Sequence, residues 1–141
     1  MNQTGPVLDE LSREECLRLM ATVPVGRIVY TRQAMPAVEP VNFAVDRGSI
    51  VIRTGASGKL AAALLHAVVG FQADDLDPAT RSGWSVTVVG RSEEVTDRHE
   101  IDRLGTLGLE TWAPVSPDHF IRITPGMVTG RRLRAAAAAA D

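Results

Sequence analysis

The sequence predicts a mainly β fold: a small antiparallel barrel of six or seven strands with peripheral helices. Three observations predict it. Apolar and polar residues alternate in short runs, the period of a half-buried strand. The links between these runs are mostly short and made of turn residues, which favours antiparallel pairing over parallel βαβ units. Helical periodicity is confined to the start of the chain, a short Ala/Leu stretch and one segment around residue 100. Closure into a barrel removes the edges that such strands would otherwise expose.

The elements follow in order. Residues 1–10 contain Gly5 and Pro6 and read as a flexible arm before a domain spanning 11–134. Ser12-Arg13-Glu14-Glu15 is a capping box, with Leu11 and Cys16 at the hydrophobic-staple positions. Cys16, Leu19, Met20 and Val23 share one helical face, and Pro24 stops the helix. A first strand covers Val25 to Thr31, Arg32 to Pro36 make a turn, and a second strand runs from Ala37 to Asp46. Pro40 inside it calls for an edge or a bulge. Asp46-Arg47-Gly48-Ser49 is hairpin chemistry, because glycine supplies a positive φ. The third strand is Ser49 to Thr54, followed by a Gly-rich loop and a short helix from Lys59 to Leu65.

His66 to Asp74 alternates again, with Val69, Phe71 and Ala73 on one face. Asp75 to Ser82 reads as an acidic loop. Gly83 to Val95 is the clearest strand, with Trp84, Val86 and Val88 on one side and a bulge or bend at Gly90. Thr96 or Asp97 caps a helix whose buried side carries Ile101, Leu104 and Leu107 or Gly108. Trp112-Ala113-Pro114 is a loop, and two short strands, His119 to Thr124 and Met127 to Leu133, flank Pro125-Gly126. Residues 135–141 are an Ala-rich tail with no packing face.

Composition narrows the function classes. A chain of 141 residues suits one domain. Its 15 Lys and Arg against 17 Asp and Glu give a net charge of −2, which argues against a nucleic-acid partner held by phosphate neutralisation. A single cysteine excludes an internal disulfide and a multi-Cys metal site. His66, His99 and His119 lack metal-ligand spacing. There is no apparent signal peptide and no apolar run of about 18 residues, so the expectation is a soluble cytoplasmic protein without a membrane partner.

One stretch carries chemistry. Arg53 and Thr54 end a strand, and Gly55-Ala56-Ser57-Gly58-Lys59 leads into a helix start. A cation, hydroxyls and converging backbone N–H groups make a plausible phosphate seat. Lys59 is the single lysine of the chain. A cation at a helix N-terminus is mildly unfavourable unless an anion sits there. The bland alternatives are a solvated Lys59 and an Arg53 paired with a carboxylate across the sheet.

The order Pro40-Val41-Asn42-Phe43, Ile52-Arg53-Thr54, Gly58-Lys59-Leu60 and Gly83-Trp84-Ser85-Val86-Thr87-Val88-Val89-Gly90 resembles the pyridoxamine 5′-phosphate oxidase-like flavoproteins. The likeness is nearest to the small nitroimidazole-reductase-like branch and runs from about Leu11 to Arg132. It implies a split β-barrel homodimer with flavin mononucleotide (FMN) in the cleft between subunits. It implies phosphate binding by Arg53, Thr54, Ser57, Gly58 and Lys59. Val41 and Asn42 would meet the isoalloxazine edge, Trp84 and Ser85 would lie near the cofactor, and Trp112 would stack or form a wall. Trp84 could equally be core, Asn42 could face solvent, and Trp112 could be a dimer anchor or a lid. The basic clamp of the vitamin oxidase has only Arg131-Arg132-Leu133-Arg134 as a counterpart. Some relatives bind deazaflavin, haem or fatty acid; His66 or His119 would be the axial ligand of a haem.

The implied activity is FMN-dependent reduction of a small electrophile, such as a nitro compound or quinone, by a nicotinamide donor. The rival is a protein that sequesters the cofactor or an apolar ligand without turnover. Lys59→Ala is expected to weaken FMN binding by about 1.5–3 kcal/mol through loss of a charge-assisted contact, with little change in folding. A fluorescence titration with FMN checks it, and unaltered affinity would move the phosphate site elsewhere.

Overall fold

A computed structural model of the chain describes residues 7–54, 64–110 and 119–135. Its elements in order are β1 (Val7–Glu10), α1 (Arg13–Met20), β2 (Val25–Arg32), β3 (Met35–Asp46), β4 (Ser49–Thr54), β5 (Val68–Asp77), β6 (Ser82–Glu94), α2 (Arg98–Gly105) and β7 (His119–Arg134). The strand order is β1-β7-β4-β3-β2-β5-β6, and β6 pairs with β7 as well. That pairing closes β7, β4, β3, β2, β5 and β6 into a ring, with β1 added alongside the far half of β7. Every pairing is antiparallel, as the short links require.

Local chemistry sets the corners. The Ser12 hydroxyl accepts from the Glu15 amide at 3.2 Å, which completes the N-cap of α1. Gln33 and Ala34 turn β2 into β3 with φ of 51° and 63°, and Arg47 and Gly48 turn β3 into β4 with φ of 50° and 78°. Both are two-residue connections, whose positive φ matches the right-handed twist of the flanking strands. Pro40 faces β2, while β3 meets β4 only from Phe43 onward. The proline thus sits in the half of β3 that pairs on one side, where a missing N–H costs nothing.

Three sequence expectations are corrected. Val7–Glu10, expected in the arm, pair with Arg131–Arg134. The second half of β7 lies beyond the reach of β4 and offers unpaired backbone groups, which β1 satisfies. The acidic loop is shorter than expected, because Asp75, Leu76 and Asp77 pair with Trp84, Gly83 and Ser82. The two last strands are one. Pro125-Gly126 does not interrupt β7, because the register shifts between Val89 and Gly90: Val89 faces Met127, Gly90 faces Pro125, and Gly126 is the extra residue. The bulge foreseen at Gly90 is what absorbs the proline on the opposite strand.

The barrel interior is filled by alternate residues, including Ile28, Phe43, Ile52, Phe71, Val88 and Ile123. Phe43 and Phe71 meet edge to face at 4.8 Å between centroids. Cys16, Leu19 and Met20 of α1 pack into the same cluster. Burial pushes the Cys16 thiol above its usual range, which suits a small core residue rather than a nucleophile.

A second cluster lies on the outer side of the wall, where Val51 and Phe120 are covered by Leu104 and Leu109. It explains why β4 is buried on both faces. Leu109 takes the place expected of Leu107. The helix ends at Gly105, Leu107 is exposed, and Gly108 with φ of 72° turns the chain so that Leu109 points inward. Among the described residues no helix is long and apolar enough to cross a membrane.

Candidate functional site

Strand alternation puts Arg53 on the outer face of β4, beside Val51. Its cross-strand partner is Phe120, and the guanidinium lies 5.6 Å from the centre of that ring. Arg53 Nη1 donates to the Leu109 carbonyl at 3.1 Å.

The ladder between β3 and β4 ends at Phe43 opposite Ile52. Beyond that ladder, strand alternation puts Asn42 on the outer side of β3 and Val41 on the inner side. Asn42 is nevertheless buried, at 8% exposure. Val41 is half-buried against the barrel core. Thr54 is buried, and its hydroxyl donates to the His119 carbonyl at 3.4 Å, so it ties β4 to β7.

A polar band lies on the outer wall across β2, β5 and β6, centred on the side of the ring away from β4. Gln72 Nε2 donates to Asp74 Oδ2 at 2.6 Å and to Ser85 Oγ at 3.5 Å. Arg27 Nη1 lies 3.7 Å from Asp74 Oδ2 and 3.4 Å from Gln72 Oε1. Ser85 stands between Asp74 and Arg131 in register. Trp84 points the other way, into the core cluster, and only part of it borders a groove of about 290 Å³ that Ser85, Thr129 and Arg131 also line. Arg53, Asn42 and Ser85 thus point out of the barrel, while Val41, Thr54 and Trp84 face inward. Ser57, Gly58, Lys59 and Trp112 lie outside the described residues.

Phe120, Leu109, Gln72 and Asp74 join the site without having been singled out in the sequence. Gln72 and Asp74 alternate with the inward Phe71 and Ala73, so their outward direction was readable. The Phe120 and Leu109 contacts depend on register and on the turn after α2, which no local pattern announces.

An ion network lies beside the second cluster. Arg103 holds Asp46 with bonds of 3.0 and 2.7 Å, and Arg122 approaches the same carboxylate at 3.4 Å. Glu100 bonds to Arg103 and, at 2.8 Å, to Arg122. The hydrogen bonds from Arg103 hold both carboxyls below their ordinary range, against the opposing effect of burial. The network fastens α2 to β3 and β7.

The two histidines considered as haem ligands are engaged elsewhere. His119 Nδ1 lies 3.5 Å from Glu94, and the exposed His66 lies 4.0 Å from Glu93. Among the described residues no group of three or more His, Cys, Asp or Glu could hold a metal ion. The outward polar side chains thus fall in two places on the ring: Arg53 and Asn42 at the ends of β4 and β3, and Arg27, Gln72, Asp74 and Ser85 across β2, β5 and β6.

The family model for pyridoxamine 5′-phosphate oxidase matches residues 12–132. An uncharacterized protein of Mycobacterium tuberculosis is 42% identical over 136 residues, covering 93% of this chain and 89% of its own. A crystal structure from Corynebacterium glutamicum, of a protein grouped with the pyridoxamine 5′-phosphate oxidases, superposes with a TM-score of 0.83 at 33% identity, over 98% of this chain and 99% of that one. An FAD-binding protein from Mycobacterium smegmatis superposes with a TM-score of 0.79 at 35% identity, over 89% of this chain and 98% of that one.

Proposed function

Because the chain belongs to the pyridoxamine 5′-phosphate oxidase family, we propose that it binds a flavin with its phosphate at Arg53 and works as a flavin-dependent oxidoreductase. The observation that carries this reading is Arg53 on the outer wall, stacked on Phe120 and bonded to the Leu109 carbonyl at the strand end where the Gly-rich segment begins. Arg53 supplies the positive charge that the cofactor's phosphate meets. Asn42 offers an amide to the ring edge. The FAD-binding relative supports a flavin, and FMN is the simplest ligand for one phosphate seat.

A bound flavin supplies the hydride and electron transfer. The chain supplies position, a neutral amide at the ring edge and shelter from water. No general acid or base need act in such a transfer. The substrate on this reading is a small electrophile, such as a nitro compound or quinone, and the donor is a nicotinamide.

The reading includes a second copy of the chain. Val38, Val29, Gly70, Val89 and Met127 are successive cross-strand partners on the outer wall. The valines and methionine are exposed by 37 to 61%. An apolar row of this kind, next to the polar band, is the surface that a homodimer would cover. Val89→Glu is expected to shift the protein from dimer to monomer in sedimentation, with little loss of barrel stability because the side chain faces outward. An unchanged dimer would place the interface elsewhere.

Flavin absorbance of the purified protein, or its uptake of added FMN or FAD, tests the central claim. A protein that takes up neither defeats it. Anaerobic mixing with a nicotinamide donor separates an enzyme from a storage protein: bleaching of the flavin and its return on adding an acceptor supports turnover.

A further inference from the structure

The apolar cluster under α2 sits directly against the side chain that the proposed function uses. Arg53 rests on the ring of its cross-strand partner Phe120 and is bonded at Nη1 by the Leu109 carbonyl. Phe120 and Leu109 are both buried in the second cluster, with Leu104 of α2 between solvent and Val51. Leu109 follows α2 by a few residues, and α2 is fastened by Arg103 to the buried Asp46. An arginine side chain loses up to about 2 kcal/mol of rotamer freedom on being fixed. A guanidinium already stacked and bonded along one edge has lost much of that freedom before any anion arrives, so the cost of ordering it is not charged to binding.

We propose that α2 and the cluster beneath it preset the phosphate seat, with Phe120 and Arg103 as positioning residues that hold Arg53 in the pose an anion requires. The proposal rests on the reading of Arg53 as a phosphate ligand. Phe120 acts directly, through the cation–ring contact. Arg103 acts at a distance: it anchors α2, α2 sets the turn at Gly108, and the turn sets the Leu109 carbonyl. Neither residue touches the flavin ring on this account. Their effect is therefore confined to the phosphate end of the ligand.

This confinement gives the test. FMN and riboflavin share the ring and differ in the phosphate. Equilibrium fluorescence titrations with both are made on the full chain and on Arg53→Met, Phe120→Leu, Phe120→Tyr and Arg103→Met, well below each protein's melting temperature. Arg53→Met is expected to lower FMN affinity at least tenfold and to leave riboflavin affinity unchanged. Phe120→Leu and Arg103→Met are expected to lower FMN affinity about three- to tenfold, again without affecting riboflavin, and Phe120→Tyr to restore it. A merely structural role would weaken both ligands together. If Arg53→Met separates the two flavins but Phe120→Leu and Arg103→Met do not, the positioning role is overturned and the phosphate seat stands. If Arg53→Met fails to separate them, the seat itself is misplaced and the proposal falls with it. Arg103→Met keeps the test decisive should Phe120→Leu not fold.

Discussion

Asp46→Ala is expected to destabilise the fold by about 3 kcal/mol, the low end of what removing one partner of a buried ion pair costs. The Asp46 side chain is 8% exposed, while Arg103 and Arg122 retain 27% and 22% exposure, so water relieves the two cations in part. Without the carboxylate they face each other with Glu100 alone between them. A loss of that size lowers the melting temperature by roughly 10 °C in a domain of this length. Asp46→Asn keeps the shape and loses the charge, and it is expected to cost less.

The pH dependence has a definite sign. Arg103, by hydrogen bond and then by charge, and Arg122 after it, hold the Asp46 carboxyl below its ordinary value of 3.8. The unfolded chain then takes up the proton at a higher pH than the folded one. The stabilisation is complete above the ordinary value and is lost as pH falls below it toward the folded value. Thermal unfolding at pH 7 and pH 3 checks this. The gap between wild type and Asp46→Asn should be widest at neutral pH and narrow in acid. A gap that stays constant would show that packing, not the ion pair, is what the substitution disturbs.

The parts of the fold that were legible in the sequence are those whose cause is local. The capping box at Ser12, the alternation in β6 and the hairpin at Gly48 each declare themselves within a few residues, and each stands where its pattern said. The parts that were not legible depend on a partner strand. Val7–Glu10 become a strand only because β7 outruns β4, and β7 runs through Pro125 only because its extra residue, Gly126, is taken up by the register shift opposite Val89 and Gly90 of β6. The candidate site divides the same way. Arg53 and Asn42 could be named from their own strands, and strand alternation sends both outward. That Phe120 underlies Arg53, and that the Leu109 carbonyl bonds it, follows from register and from a turn beyond α2. Trp84 shows the converse: its side of the strand was readable, and that side is the interior.

The bulge itself can be tested at one atom. A Cβ at Gly90 would lie 2.1 Å from the Thr124 carbonyl oxygen, 2.9 Å from its carbon and 3.2 Å from Pro125 Cα. All three neighbours are backbone, so no side chain can swing aside. The strands must part, or the register must change, and a one-residue slip would turn every interior side chain of the half-strand to the other face. Gly90→Ala is therefore expected to cost about 3 kcal/mol or more, beyond the usual range for one added methyl. Gly105→Ala is the contrast, since nothing lies within 4 Å of a Cβ there. That glycine is the last residue of α2, and alanine is expected to stabilise the helix by up to about 1 kcal/mol. Urea denaturation of both variants gives the comparison. A loss below about 1 kcal/mol in Gly90→Ala would mean that β6 and β7 are not held apart from Thr124 to Met127 in the way the register shift requires, and closure of the ring through that shift would have to be abandoned.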